Sequence, residues 1–169
     1  CREIIFVVNC GQSMNVSDPN HVAQEAVAWS LKNFSAEDEI AVIEYGEEAN
    51  IVYPLNKIGN ATNLKFNFKY SGESDTGAAL LKAVDLLADK FNMPRDIILI
   101  TDAKFSINDP VRYLKSVENF QSAVRQAKWL GIPIYVLNLR YGGDQLNYYS
   151  YAGYAKEIPV PHFELMTAV

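Results

Sequence analysis

The sequence predicts an α/β protein with a doubly wound, mostly parallel six-stranded sheet, one antiparallel edge strand and helices on both faces. The first observation is a set of short, continuous apolar runs such as residues 4–8, typical of strands buried on both sides. The second is that helical periodicity follows most of these runs. The third is the short link Gly46-Glu47, which predicts a hairpin and hence the antiparallel edge.

The predicted elements alternate along the chain. Asp18 as N-cap with Pro19 in the first turn begins the first helix, Asp75 or Ser74 begins the second, and Gly131 ends a later one. Residues 56–72 are polar and predict a loop or a short irregular segment. Strands are predicted at 4–8, 39–45, 49–55, 96–101, 132–139 and 157–161, and helices at 19–34, 76–91, 110–115, 117–130, 145–154 and 162–168.

Length and composition predict one domain over residues 1–169. Because the chain begins almost on a strand at Cys1, we expect it to be cut from a longer parent. A net charge of −5 with scattered basic residues argues against nucleic-acid binding, which draws its affinity from clustered Lys and Arg. No apolar run approaches the roughly 20 residues of a membrane span.

The two cysteines are not expected to form a disulfide. Cys1 and Cys10 lie at opposite ends of the first predicted strand, which separates them beyond disulfide reach. Cys10 is predicted to be a small, half-buried residue and not a nucleophile, because neither His21 nor His162 is near it in sequence. An enzyme using Cys10 or Ser13 is therefore disfavoured, and the expected class is non-enzymatic.

A ligand site is predicted where the parallel strands end. In open parallel sheets, ligands bind outside the carboxyl ends of the strands. This rule selects the loops at 9–15, 71–75 and 102–108, and no glycine-rich phosphate loop follows the first strand. Convergent hydroxyl and carboxylate oxygens suit a hard cation such as Mg²⁺.

Three motifs in these loops resemble the von Willebrand factor type A family. They are NCGQSM at residues 9–14, GESDTGAAL at 72–80 and ILITDAK at 98–104. The family signature is D-x-S-x-S after the first strand, a threonine before a later helix and an aspartate after the fourth strand. The resemblance implies a metal-ion-dependent adhesion site built by these loops.

The resemblance is poorer at the metal than at the fold. Asn9 stands where the family has its first aspartate, Gly11 replaces a serine ligand, and Ser74 replaces the threonine. Ser13, Ser74 and Asp102 remain, so we expect a degenerate site that requires no cofactor and binds Mg²⁺, Mn²⁺ or Ca²⁺ weakly or not at all. Water in place of the missing serine, or Glu73 or Asp75 turned inward, would allow weak binding. Alternatively, Asn9 caps the strand and bonds to Asp102 or Ser13, holding the loop without an ion.

The resemblance implies a protein-interaction domain of adhesion type, found at the cell surface or outside the cell, with an intracellular role left open. The alternative is an architectural domain without a ligand of its own. A tyrosine-rich stretch at 141–154 either packs a helix onto the sheet or adds to a binding surface. The predicted partner-binding residues are Asn9, Gln12, Ser13, Glu73, Ser74, Asp75, Asp102, Tyr148 and Tyr149.

Overall fold

The computed structural model describes residues 1–60, 65–102 and 106–139, and the backbone of residues 156–159. The strands are β1 (Glu3–Asn9), β2 (Glu39–Tyr45), β3 (Ala49–Lys57), β4 (Arg95–Thr101), β5 (Ile134–Asn138) and β6 (Lys156–Pro159). The helices are α1 (Met14–Ser17), α2 (Val22–Asn33), α3 (Thr76–Leu87) and α4 (Pro110–Leu130), with a 3-10 turn at Ile58–Asn60. The predicted helices at 145–154 and 162–168, and the end of the last predicted strand, lie outside the described residues.

The strands form one sheet in the order β3-β2-β1-β4-β5-β6. All neighbouring pairs are parallel except β2 and β3, which form the antiparallel hairpin at one edge. The predicted fold class is therefore confirmed. Strand order reverses between β1 and β4, and this is the point where open parallel sheets bind ligands.

Side chains of β1 alternate between two cores, one on each face of the sheet. Ile5 and Val7 belong to the core that α3 and α4 cover, whereas Phe6 and Val8 belong to the core beneath α2. Because both faces are covered by helices, every residue of β1 is buried. This double burial holds the end of β1 in a fixed place relative to β4.

Helix α4 corrects the prediction of two separate helical pieces. It runs unbroken for 21 residues, with Asp109 as N-cap and Gly131 in the left-handed conformation at its end. Ser116, which lies between the two predicted pieces, is a polar residue buried within the continuous helix. Its hydroxyl accepts from the Gly77 N–H at 3.1 Å and donates to Asp75 at 2.6 Å, so the helix and α3 share a satisfied polar contact.

The predicted start of α2 is also wrong. The helix begins at Val22 and not at Pro19, and His21 precedes it with a φ of 55°. Asp18 still caps it from further upstream, because its carboxylate accepts from the N–H groups of Val22 at 2.8 Å and Ala23 at 3.1 Å. The predicted N-cap position is therefore wrong, since His21 occupies it, although the Asp18 carboxylate accepts from the first N–H groups of the helix.

Other predicted boundaries shift by a few residues. Helix α3 ends at Leu87 instead of residue 91, because the Ala88 N–H donates to Asp85 O three residues back and tightens the last turn. Strand β3 extends to Lys57, and β5 is shorter at both ends than the predicted 132–139. None of these shifts moves the ends of β1 and β4 that carry the candidate site.

Candidate functional site

Three segments meet where the parallel strands end, and we call this region the rim. It comprises residues 9–17 after β1, residues 71–75 before α3, and Asp102 after β4. The first two segments are joined through their backbones, since the Ser71 N–H donates to Cys10 O and the Gln12 N–H donates to Gly72 O, both at 2.8 Å. Backbone bonds between loops fix their spacing independently of any side chain.

Asn9 connects all three segments of the rim. Its Oδ1 accepts from the Gly11 N–H at 2.8 Å and from the Ser74 hydroxyl at 3.0 Å. Its Nδ2 lies 3.0 Å from Thr101 Oγ1 and 3.5 Å from Asp102 Oδ1. A backbone N–H can only donate, so the side-chain atom facing Gly11 must be the amide oxygen, and the orientation of the amide follows.

Asp102 is the buried carboxylate of the rim, with 1% of its surface exposed. Its Oδ2 accepts from the hydroxyls of Ser13 at 2.6 Å and Ser17 at 2.9 Å. Hydrogen bonds to a carboxylate compensate for the water it loses on burial. The structure therefore brings Asp102 together with Asn9, Ser13 and, through Asn9, Ser74.

Ser17 is a rim residue that the sequence analysis missed. It is four residues after Ser13, one turn along the short helix α1, so both hydroxyls point to the same carboxylate. The spacing of the two serines was visible in the sequence, but no helix was predicted there. Thr101, which accepts from Asn9, was missed because it lies inside the predicted strand β4.

Glu73 and Asp75 do not turn toward the candidate metal position. The Glu73 carboxylate accepts from the Asn108 N–H at 2.7 Å and pairs with Arg112 at 2.8 Å, and these two contacts hold the pKa of Glu73 below its usual range. Asp75 caps α3 by accepting from the Ala78 N–H at 3.1 Å. Both carboxylates tie the segment at 71–75 to helices instead of adding ligands.

Two buried tyrosines support the rim from inside the protein. The Tyr45 hydroxyl lies 3.0 Å from Thr76 Oγ1, and the Tyr70 hydroxyl donates to Asp18 at 2.6 Å. Burial raises the pKa of both phenols, and the bond to the Asp18 carboxylate raises that of Tyr70 further. Both hydroxyls therefore stay protonated as hydrogen-bonding groups near neutral pH.

The surroundings of the two candidate nucleophiles, Cys10 and Ser13, can be given for the described residues. Cys10 is buried, and burial followed by the charge of Glu44 raises the pKa of its thiol to about 12. The two cysteines are free thiols. The Ser13 hydroxyl donates a hydrogen bond to Asp102, while His21 stacks on Tyr70 with ring centroids 4.8 Å apart.

In this arrangement the oxygens of the predicted ligand set are engaged in hydrogen bonds within the rim. In the described part of the chain, no group of three or more His, Cys, Asp or Glu residues is placed to hold a metal ion. Asp102 is the one carboxylate of the predicted ligand set, and its Oδ2 is already bonded to two hydroxyls. The Ser74 hydroxyl is turned to Asn9, so a cation would have to break several hydrogen bonds to recruit these oxygens.

The accessible surface of the rim consists of different residues from its buried centre. Asn9 and Ser74 have none of their surface exposed, whereas Gln12 is exposed and Ser13 is half-buried. Val16, which was not predicted, has 82% of its surface exposed. The predicted contacts Tyr148 and Tyr149 lie outside the described residues.

The rim borders a polar groove of about 580 Å³ beside the β2–β3 hairpin. Glu44, Glu47, Glu48, Lys69 and Ser71 are among the residues that line it.

Among the helices that the structure describes, none has both the length and the apolar character needed to cross a bilayer.

Comparison with known proteins gives one family match. Residues 4–104, more than half of the chain, match the von Willebrand factor type A domain family. No curated protein matches the chain in sequence.

Solved structures share the fold at low sequence identity. A von Willebrand factor type A protein from Catenulispora acidiphila has a TM-score of 0.74 at 17% identity, over 99% of this chain and 42% of that one. The PilB minor pilin from Streptococcus sanguinis has a TM-score of 0.71 at 12% identity, over 98% and 60%. Proximal thread matrix protein 1 from the mussel byssus, solved with a zinc-occupied MIDAS motif, has a TM-score of 0.71 at 12% identity, over 98% and 46%. The chain thus spans less than two thirds of each of these three proteins.

Proposed function

The chain belongs to the von Willebrand factor type A domain family, and from this premise we propose that it is a non-enzymatic interaction domain that binds a protein partner at the rim without needing a divalent cation. Domains of this family are generally interaction modules. A minor pilin and a byssal matrix protein share the fold, which supports a place at the cell surface or outside the cell. We further propose that residues 1–169 form one domain of a longer protein.

The observation that carries the proposal is the exposed surface of the rim. Val16 offers an apolar side chain with 82% of its surface exposed, and the exposed amide of Gln12 lies in the same segment. A protein partner that docks at the rim would cover this apolar group together with its polar neighbours. The same segment is held rigid by its bonds to Gly72 and Asp102, so little ordering is needed on binding.

A metal-mediated interaction is disfavoured because the buried oxygens of the rim bond to one another. In a cation-dependent interaction, a carboxylate of the partner would complete the coordination shell of an ion held by the rim. The rim oxygens that would hold this ion are already hydrogen-bonded to one another. Contact through shape and hydrogen bonds at Gln12, Ser13, Glu73 and Asp75 needs no such ion. Tyr148 and Tyr149 remain predicted members of the same surface.

A photo-crosslinking residue at position 16 tests the proposal directly. The matched control places the same residue at Asn56, which is exposed at the opposite end of the sheet. We expect a protein crosslinked from position 16 and not from position 56, identified by mass spectrometry. Equal products from both positions, or none from position 16, would favour the architectural role instead.

A binding measurement with the identified partner completes the test. Val16→Asp should weaken binding at least about tenfold, because it places a charge in the covered apolar contact. Asn56→Asp introduces the same charge at the other end of the sheet and should leave the affinity unchanged. Unchanged affinity in Val16→Asp would contradict binding at the rim.

A further inference from the structure

We propose that Asn9, Gly11 and Ser74 form one interlocked unit that holds the rim in the place of an ion, with Asn9 as its positioning residue. The three residues stand where the family pattern has an aspartate, a serine and a threonine. Each departure, considered alone, removes or alters a metal ligand. The contacts among the three show that they depend on one another.

The amide of Asn9 makes bonds that a carboxylate could not make. Its oxygen accepts from Gly11 and Ser74, and its nitrogen donates toward Thr101 and Asp102. A carboxylate has acceptors only, so an aspartate here could still accept from the Thr101 hydroxyl but would lose the bond toward Asp102 and would place its charge against that carboxylate. In a site with two carboxylates, a bound cation attracts both of them. In this chain the Asn9 amide nitrogen takes over the attraction toward Asp102.

Gly11 is required by the position of the Ser74 hydroxyl. A Cβ atom built on Gly11 would overlap Ser74 Oγ and would lie 3.1 Å from Asn9 Oδ1 and 3.2 Å from Ser74 Cβ. The backbone of Gly11 is not in the left-handed region, so a side chain at position 11 is limited by space and not by conformation, and the atom in its way is the movable hydroxyl of Ser74. The hydroxyl thus fills the volume that a side chain at position 11 would need.

The consequence is that a side chain at position 11 also breaks the bond between Ser74 and Asn9. Ser74 would have to turn its hydroxyl away to make room, and Asn9 would then lose one of its two donors. Losing the Ser74 hydroxyl by mutation removes the same bond. The loss of stability in the double variant should therefore be close to that of one single variant and smaller than the sum of both.

A double-mutant cycle tests this coupling. Gly11→Ala and Ser74→Ala should each lower the melting temperature by about 2–4 °C, since each removes one buried hydrogen bond. The double variant should melt close to the less stable single variant. Gly59→Ala is the matched control, because a Cβ there meets its nearest atoms at ordinary contact distances of 3.4 and 3.6 Å, and it should melt like the wild type. Additive losses, or an unchanged melting temperature in Gly11→Ala, would overturn the proposal.

The second arm measures a response to ions that a merely structural role would not change. The variant Asn9→Asp with Gly11→Ser replaces the amide by a second carboxylate and restores the serine oxygen. Its melting temperature should rise with millimolar Mn²⁺ over that in chelator, while Asn9→Leu should be destabilised and insensitive to Mn²⁺. If the double variant also ignores Mn²⁺, Asn9 does not stand in for an ion and the proposal fails. Because both arms use the isolated chain, they can fail while partner binding at Val16 succeeds.

Discussion

Each end of the sheet buries one carboxyl group, and the two groups differ in their hydrogen bonding. At the rim, Asp102 accepts from Ser13 and Ser17 and lies beside the Asn9 amide. At the other end, Glu3 begins β1 and is equally buried, yet its Oε2 has no hydrogen-bond partner among the described residues. Asp102 and Glu3 are equally buried, but Asp102 receives hydrogen bonds from two hydroxyls, whereas Glu3 Oε2 receives none from the described residues.

The neighbours of Glu3 explain the difference. Its register partner on β2 is Glu39, and burial together with the charge of Glu39 raises the pKa of Glu3. Its register partner on β4 is Arg95, but that guanidinium donates to the carbonyls of Leu87 and Leu130 at the ends of α3 and α4. Arg95 is therefore engaged at the helix ends, and the charge of Lys90 opposes the rise in the pKa of Glu3 without outweighing it. At the rim, by contrast, the hydroxyls of Ser13 and Ser17 donate directly to Asp102.

The largest effect should come from removing the satisfied carboxylate. Asp102→Ala leaves the hydroxyls of Ser13 and Ser17 and the amide of Asn9 without this acceptor, and we expect a loss of about 3 kcal/mol in the free energy of unfolding. Asp102→Asn keeps one acceptor oxygen and should lose less. Urea denaturation of both variants measures the difference. An Asp102→Ala variant as stable as the wild type would remove the contrast between the two ends.

Removing the unsatisfied carboxyl should have the opposite sign. Glu3→Gln should raise the free energy of unfolding at pH 7 by about 1 kcal/mol, because an amide needs no charge in this buried place. Since the folded-state pKa of Glu3 is raised above its ordinary value of 4.5, its favourable contribution is present at low pH and is lost as the pH rises through the folded pKa. Urea curves at low and neutral pH should show the advantage of Glu3→Gln growing with pH. A constant difference would contradict the role of the charge.

The smallest effect is expected at the exposed edge of the rim. The pKa of Glu73 is lowered by the Asn108 N–H and then by Arg112, so its contribution is present above its ordinary value of 4.5 and is lost as the pH falls through the folded pKa. Glu73→Gln should therefore lower the melting temperature slightly at pH 7 and not in acid. Arg112→Gln is the partner control. Concentrated NaCl should reduce the loss of melting temperature in Glu73→Gln, because salt screens the interaction of Glu73 with Arg112. A loss that salt does not change would indicate that this stabilisation is not electrostatic.

Much of the fold could be predicted because strands buried on both faces consist of continuous apolar residues, which are visible in the sequence. The continuous apolar runs of β1 and β4 and the short Gly46 link fixed the sheet's centre and its antiparallel edge. The two predicted pieces of α4 join at Ser116, a polar residue in a buried face whose partners Gly77 and Asp75 are about forty residues away in sequence. Hydrogen bonds between residues so far apart in the chain produce no local sequence pattern from which they could be predicted.

The candidate site could be located from sequence, but its bonding could not. The motifs brought Asn9, Ser13, Ser74 and Asp102 to one rim, while the direction of each hydroxyl depends on atoms from other loops. The glycine at position 11 looked like a lost ligand. Only the position of the Ser74 hydroxyl showed that the space was already occupied.

Thermal unfolding of the wild-type chain with millimolar Mg²⁺, Mn²⁺ or Ca²⁺, compared with chelator, tests most directly whether the rim is held by its own hydrogen bonds. Our account predicts the same melting temperature in every buffer, because no ion is needed to join Asn9, Ser74 and Asp102. A cation present at about 100 times its dissociation constant would stabilise the fold by about 2.7 kcal/mol. A melting temperature that rises with cation concentration and returns with chelator would contradict the account.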